Sequence, residues 1–140
     1  MGIKQHESEK DRENERRIGE ALARAWGMTW EGTDTLDDVD GYLHKEGCLA
    51  VVECKWRNDH YDSLFAELFK FENLIARANE YKVLPIYAWR TPKSIYVRLL
   101  TRHDAEWFGI GSMTLNKPRD DGDLDDPGIY YPIENLQRVR

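Results

Sequence analysis

A short apolar strand that ends in an acid and a base limits the folds open to this chain. Residues 49–52 read Leu-Ala-Val-Val and are followed at once by Glu53, Cys54 and Lys55. A continuous apolar run of this length is typical of a strand buried on both faces of a sheet. No apolar run in the 140 residues approaches the length of a bilayer span, so a membrane helix is excluded. We expect a sheet with charged side chains at the end of one strand.

The apolar strand is the second arm of a predicted hairpin. Residues 39–44 have strand character, and Glu46 and Gly47 lie between them and the second strand at 48–55. The dipeptide suits a two-residue turn, in which glycine commonly supplies the positive φ that the turn needs. A turn of fixed length also fixes the register of the two strands.

This register places two carboxylates opposite each other. Asp40 and Glu53 lie on one face of the hairpin with side chains ~5 Å apart, and Lys55 shares that face because strand side chains alternate. Two carboxylates at this separation repel, and burial beside an apolar run raises the cost. One interpretation is an ion-pair cluster with a structural role only.

A divalent cation removes the same repulsion. Mg²⁺ is usually held by one or two carboxylates, while water or phosphate oxygens fill its other positions. An ammonium group beside the pair, here Lys55, orients the attacking water or stabilises the charge that develops on the phosphate. Metal, carboxylates and lysine together form an apparatus for phosphodiester hydrolysis.

Two helices are predicted. Apolar residues spaced by three and four, followed by Gly27, predict the first helix over residues 4–26. The second begins at a cap formed by Asp59 or Asp62 and runs to about Lys82. Its apolar face comprises Leu64, Leu68, Phe71, Ile75 and Ala78, widened by Phe65 and Phe69.

Strand patterns occupy the segments between and after the helices. Besides the hairpin, strands are predicted at residues 28–31, 84–90 and 94–100. The order α-β-β-β-α-β-β indicates one α/β domain with a mixed β-sheet flanked by helices.

The pattern weakens after the last predicted strand. Residues 102–140 are predicted to form a C-terminal extension of a core over about 16–101, within a single domain. In this extension, residues 107–115 hold apolar residues and glycines, 119–128 form a solvated acidic loop, and 130–139 add a final strand or a docking arm.

The charge of the chain is uneven. A net charge of −6 argues against an indiscriminate nucleic-acid coat. Residues 54–103, however, carry nine basic and five acidic side chains, a local net of +4. We expect these basic side chains to form a phosphate-contacting rim, although scattered solubilising charge would give the same composition. They are Arg57, Lys70, Arg77, Lys82, Arg90, Lys93, Arg98 and Arg102.

The acidic and basic residues form a recognisable combination. Asp40, then Glu53-Cys54-Lys55 closing a hydrophobic strand, with Glu20 on a preceding helix, resembles the PD-(D/E)xK nuclease superfamily. The chain is most similar to archaeal-type Holliday-junction resolvases and small phage nucleases. The resemblance extends over residues 16–100 and implies a restriction-endonuclease-like core.

The resemblance also implies roles for individual residues. Asp40 and Glu53 would bind Mg²⁺ or Mn²⁺ together with the backbone carbonyl of Cys54. Lys55 would assist hydrolysis, and Glu20 would make a supporting contact to the metal or its water. The implied activity is therefore a metal-dependent deoxyribonuclease.

Three hypotheses for function follow. The first is a metal-dependent endonuclease that cuts DNA, with structured or branched DNA as its substrate. The second is a non-catalytic nucleic-acid-binding or assembly module that keeps the nuclease fold, and the third is a cytosolic protein whose hairpin charges are only structural. The substitution Glu53→Gln distinguishes these hypotheses. Under the first it abolishes metal binding and cleavage, and under the second it leaves DNA affinity largely unchanged. Under the third the protein has no DNA affinity to lose.

Assembly and location are also predicted. An enzyme that cuts both strands of a junction needs two sites, so we expect a homodimer formed through the second helix or residues 107–115. Residues 1–20 are charged throughout, unlike a signal peptide, and Cys48 and Cys54 do not make a disulfide framework. The cytoplasm is the expected compartment, or the host cytoplasm for a phage protein.

Overall fold

The structure, a computed structural model, describes residues 9–34, 36–114 and 125–139. The start of the first predicted helix, residues 4–8, and most of the predicted acidic loop lie outside the described residues. None of the described helices is long and apolar enough to cross a membrane. The elements in chain order are α1 Glu9–Trp26, β1 Thr29–Gly32, β2 Gly41–His44, β3 Cys48–Trp56, β4 Ser63–Glu67, α2 Leu68–Tyr81, β5 Leu84–Arg90, β6 Ile95–Leu99, α3 Asp104–Phe108, β7 Gly111–Thr114, β8 Asp125–Pro132, a 3₁₀ helix Ile133–Asn135, and β9 Gln137–Arg138.

The strands form two sheets. The larger has the order β1-β2-β3-β5-β6-β9, in which β3 and β5 are parallel and the other neighbours are antiparallel. The smaller has the order β4-β8-β7 and is antiparallel. The large sheet is therefore mixed, with α1 against one face and α2 against the other, and the predicted α/β class is confirmed.

Alternation along β3 separates the two faces. Ala50, Val52 and Cys54 pack in the cluster that contains the apolar residues of α1. Val51 packs in the other cluster, with residues of α2, β4 and β8. Because successive side chains of a strand point to opposite faces, Glu53 lies on the α2 face with Val51. The acid of the central strand thus lies between that strand and α2.

The hairpin register is confirmed over most of its length. Gly41 pairs with Val52, in the register that the predicted turn imposes. The turn itself differs, because His44 pairs with Cys48 and a bulge interrupts the ladder between Leu43 and His44. Lys45 and Cys48 are therefore not partners, as the two-residue turn required, and the N–H of Lys45 instead donates to the carbonyl of Gly47.

The predicted start of the second helix is wrong. Residues 63–67 form strand β4, α2 begins only at Leu68, and Glu67 rather than Asp59 or Asp62 precedes the first helical residue. β4 pairs with β8, where Leu64 lies opposite Tyr131. Local spacing favours a helix here, but pairing with a strand from the C-terminal extension buries residues 64–66 on both sides and decides the conformation.

The C-terminal extension is a structural part of the domain. It contributes α3, which was not predicted, together with β7, β8 and β9. Buried Asp104 holds it to β6, since its carboxylate accepts hydrogen bonds from Arg98, Thr101 and Tyr131. The described part of the predicted acidic loop, residues 125–128, belongs to β8.

Candidate active site

Asp40 and Glu53 are buried at two neighbouring strands of the large sheet. Asp40 immediately precedes β2 and is 3% exposed, while Glu53 lies inside β3 and is 1% exposed. The carboxylate oxygen Oδ2 of Asp40 accepts a hydrogen bond of 2.8 Å from the backbone N–H of Cys54. The structure therefore brings the first predicted carboxylate to the backbone beside the second.

Lys55 lies on the same side and is held by a residue that sequence reasoning missed. Its Nζ is 2.7 Å from Oε1 of Glu67, the last residue of β4, and 3.9 Å from Oε2 of Glu53. Burial disfavours the charged form of Lys55, but the two carboxylates outweigh it and raise the pKa of the ammonium above its usual value. The side chain of Lys55 is therefore positively charged at neutral pH.

Glu67 has the complementary environment. Burial raises its pKa, but attraction and hydrogen bonding to Lys55 outweigh that effect, and with a hydrogen bond from buried Asp126 they lower the pKa of Glu67 to about 2. Asp126 belongs to β8. Neither acid carries a sequence signal, because both reach the site through the pairing of β4 with β8.

Lys70 is part of the site rather than of an outer rim. Its Nζ lies 3.3 Å from Oε2 of Glu53, and its side chain is 12% exposed. It lies in the first turn of α2. Lys70 was predicted to contact nucleic acid, and the structure places it against the central carboxylate.

The packing of α1 against the large sheet depends on a bulky side chain that fits between two glycines. The indole of Trp30 on β1 lies against Gly19 of α1 and Gly41 of β2, and a Cβ on either glycine would overlap it. Only glycine permits this approach. It holds α1 close to the residue that follows Asp40.

Two cavities adjoin these residues. The first, about 560 Å³, is lined by Asp40, Glu20 and Trp30 among others. The second, about 270 Å³, is lined by Glu53, Lys55, Arg57 and Lys70 among others. Each cavity is thus lined by one of the two central acids.

The acids of α1 differ in their relation to these cavities. Glu20, the predicted supporting acid, lines the first cavity only and forms an ion pair with Arg16, and its side chain is 43% exposed. Glu15 lines both cavities and was not singled out in the sequence. Its signal is weak, since it is one of several Glu and Arg residues in a charged first half of the helix.

The predicted basic residues are divided between several places. Arg57 shares the cavity of Glu53, and Arg90 lines a neighbouring cavity of about 600 Å³ together with Lys10 and Arg17. The guanidinium of Arg90 stacks 4.0 Å from the ring centre of Trp56, which lines both of these cavities. The structure thus brings Arg57, Lys70 and Arg90 together.

Other predicted basic residues lie apart from these cavities. Arg77 donates to the hydroxyl of Tyr42 and pairs with Asp37 at 3.1 Å, so it binds α2 to the loop before Asp40. Arg98 is engaged by Asp104. Lys82 follows the last residue of α2, at the opposite end of that helix from Lys70. Lys93 and Arg102 are exposed in turns.

Charged groups of both signs surround Glu53. The carboxylates of Asp40, Glu53 and Glu67 share the site with the ammonium groups of Lys55 and Lys70 and with the guanidinium of Arg57. Burial raises the pKa of the Tyr87 hydroxyl, beside Glu53 on β5, well above its usual value; the charges of Glu53 and Glu67 raise it further, and that of Arg57 lowers it. Among the described residues no three Asp, Glu, His or Cys side chains form a ready-made metal cage.

The sheet order, the flanking helices and the acids on the central hairpin define the restriction-endonuclease-like α/β fold. A comparison with solved structures finds similarity to Hjc, a Holliday junction resolvase from the archaeal hyperthermophile Archaeoglobus fulgidus. The TM-score is 0.52 at 19% sequence identity, over 63% of this chain and 70% of that chain. The predicted resemblance in fold is confirmed.

Comparisons of sequence give no match. No protein-family model matches the chain, and no curated protein does. The likeness to the resolvase therefore establishes the fold, and the assignment of chemistry rests on the residues of the site itself.

Proposed function

We propose that this protein is a metal-dependent endonuclease that hydrolyses DNA phosphodiester bonds, with structured or branched DNA as its substrate. One observation carries the proposal: Asp40 and Glu53 are both buried, the carboxylate of Asp40 accepts a hydrogen bond from the backbone N–H of Cys54 next to Glu53, and each of the two acids lines a cavity. Burial of two carboxylates lowers the stability of the folded protein unless other interactions compensate for it. Perturbed, buried charges in a cleft are typical of active sites.

The residues present fit a divalent cation. Mg²⁺ is usually bound in proteins through one or two carboxylates, and Asp40 and Glu53 supply two. Asp40 and Glu53, with the backbone carbonyl of Cys54, would hold Mg²⁺ or Mn²⁺. The bound metal would acidify water and offset charge on the phosphate. Glu15 and Glu20 on α1 would contact the water molecules that the metal retains.

The lysines of the site provide fixed positive charge. Glu67 keeps the ammonium of Lys55 protonated and in place, where it stabilises the negative charge that develops on the phosphate oxygens. Arg57 and Arg90, with Lys70, receive the neighbouring phosphates. Lys82 and Lys93 add attraction at longer range.

A homodimer is part of this proposal, because a branched substrate has two strands to cut. The apolar face of α2 is not available as the interface, since Phe71, Leu74 and Ala78 are buried in the core. Trp107 and Ile110 are 64% and 58% exposed and remain the candidates. The expected compartment is the cytoplasm.

The test is cleavage by the purified protein. Labelled four-way junction, flap, duplex and single-stranded DNA are incubated with Mg²⁺, Mn²⁺ or EDTA. We expect metal-dependent cutting, preferentially of the junction, that is lost in Glu53→Gln and reduced at least 100-fold in Lys55→Ala. Glu46→Gln, at the exposed tip of the hairpin, is the matched control and should cut normally. Cutting by Glu53→Gln, or none by the native protein, contradicts the proposal.

One observation favours the second candidate, a non-catalytic DNA-binding module. The ammonium of Lys70 lies 3.3 Å from Glu53 and occupies a carboxylate that a metal would need. Titration with Mn²⁺ separates the two cases. If the metal displaces the ammonium group of Lys70 from Glu53, the native protein binds Mn²⁺ and Glu53→Gln does not. If only Lys70→Ala binds Mn²⁺ and the native protein neither binds it nor cuts DNA, the module is correct.

A further inference from the structure

A fourth cavity shares Arg57 with the cavity of Glu53 and Lys55. It has a volume of about 320 Å³ and is lined by Arg57, Tyr61, Ser63, Leu64, Phe65 and Tyr130. All but two of these residues are aromatic or aliphatic. The cavity therefore offers a largely apolar surface next to a strongly polar site.

Two tyrosine rings of this cavity face solvent. Tyr61 is 58% exposed and Tyr130 is 38% exposed, although buried Phe65 lies directly against Tyr130 with ring centres 4.8 Å apart. The hydroxyl of Tyr130 donates to the carbonyl of Ser112, which holds its ring in place. Large rings grouped at the surface of a protein mark a binding site more often than scattered ones.

Arg57 joins this cavity to the catalytic one. It lines the cavity of Glu53, Lys55 and Lys70 and also the apolar cavity. Its backbone is fixed at the end of β3, since its N–H donates to the carbonyl of Arg90 at 2.7 Å. A ligand that spans both cavities would place an anionic group at Arg57 and an apolar group between the tyrosines.

A nucleotide has this pair of properties. Its phosphate is anionic and its base is planar with apolar faces that stack on aromatic side chains. A base inside a duplex is covered by its neighbours and its partner, so only an unpaired base can enter a cavity. Aromatic stacking tolerates every base, because each has a π-face.

We infer that the cavity of Tyr61, Phe65 and Tyr130 binds an unpaired base of the DNA whose phosphate lies at Arg57 and Lys55. The inference rests on the proposed nuclease function and refines its substrate: DNA with an unpaired nucleotide next to the cleaved bond. Recognition is of the unpaired state and not of the sequence, since stacking contacts no base edge.

Binding of a fluorescent base tests the cavity without cleavage. A duplex carries 2-aminopurine either as a single unpaired nucleotide or paired with thymine, and is titrated with protein in EDTA. We expect quenching of the unpaired base only. Tyr61→Ala should weaken affinity for the unpaired duplex at least fivefold, while Tyr61→Phe keeps it. Tyr81→Ala, at a tyrosine that is 52% exposed on α2 and lines neither cavity, is the matched control.

Cleavage in Mg²⁺ separates failure of the inference from failure of the proposed function. Loss of preference for the unpaired duplex in Tyr61→Ala, with cutting of other DNA retained, supports both. If the native protein and Tyr61→Ala both cut paired and unpaired duplexes equally, the inference of base binding in the cavity is wrong and the proposed nuclease activity stands. If the unpaired base is quenched but no DNA is cut, the proposed nuclease activity is wrong and the inference of base binding stands. A change of oligomeric state in Tyr61→Ala, with DNA binding unaltered, assigns the cavity to a second copy and overturns the inference.

Discussion

The buried carboxylate of Glu53 and the partly buried carboxylate of Glu67 each have an ammonium group close by. Lys70 lies 3.3 Å from Glu53, and Lys55 lies 2.7 Å from Glu67. Removal of either member of such a pair leaves the other charge uncompensated in a poorly hydrated place, which costs more than the pair itself contributes. The residues of the site therefore depend on one another for stability as well as for chemistry.

The protein should lose stability in acid through Glu67. Its pKa is lowered from 4.5 to about 2 in the folded protein, so the contribution of this carboxylate is complete above pH 4.5 and is lost as the pH falls towards 2. In Glu67→Gln we expect a free energy of unfolding lower by about 1–3 kcal/mol at pH 7 and a weaker dependence on pH below 4.5. Urea unfolding at a series of pH values measures both.

Glu46→Gln is the control for this experiment, because Glu46 is exposed in the hairpin turn. It should unfold like the native protein at every pH. An identical dependence on pH in Glu67→Gln and the native protein would contradict the assignment of this carboxylate.

At the scale of elements, the close approach of β4 and β8 places Glu67. Gly128 lies opposite Glu67 in this pair, and a Cβ at Gly128 would overlap the carbonyl of Ala66 and the ring of Phe65. Strands that approach so closely tolerate no side chain at this point. The position of an acid in the site thus depends on a glycine in the C-terminal extension.

Gly128→Ala should separate these two strands. We expect a loss of about 1–3 kcal/mol in the free energy of unfolding, together with reduced DNA cleavage, because Glu67 moves away from Lys55. Chemical unfolding and the cleavage assay measure the two effects. Gly32→Ala is the control, since its nearest side-chain atom would be 3.5 Å away, and it should be neutral.

Mutation can distinguish a structural arginine from one that lines the cavities. Arg77 of α2 is of the first kind, and Arg57 is of the second. Arg77→Gln should lower the free energy of unfolding by about 1–2 kcal/mol and leave DNA affinity unchanged, because its partners are Tyr42 and Asp37. Arg57→Gln should leave stability unchanged and reduce the slope of log affinity against log salt by about 1. If instead Arg77→Gln reduced the salt dependence of DNA affinity and left stability unchanged, Arg77 would be a phosphate contact, as the sequence predicted.

At the scale of the whole molecule, the C-terminal extension completes the core. Ile129 and Tyr131 of β8 are fully buried in the cluster that contains Val51, Leu74 and Trp89. Their removal would expose the inner face of β4. We therefore expect that residues 16–101, the predicted core, do not fold without the extension.

A fragment of residues 1–101 should fail to fold cooperatively. It retains every predicted catalytic residue but loses β7, β8 and β9, so we expect exposed hydrophobic surface and no sharp unfolding transition. Dye binding and thermal unfolding followed by circular dichroism test this. A cooperative transition in the fragment would show that the extension is an addition to a complete core.

Short-range pattern determined the central hairpin, the acids on it and the class of fold. Asp40 and Glu53 are predictable because a short turn fixes the register of its two strands, and strand side chains alternate. Only the tertiary structure decided that residues 63–67 form β4 and that Glu67 and Lys70 lie beside Lys55 and Glu53. The partner of β4 lies far along the chain in β8, and a segment whose spacing suits a helix becomes a strand when such a partner buries it.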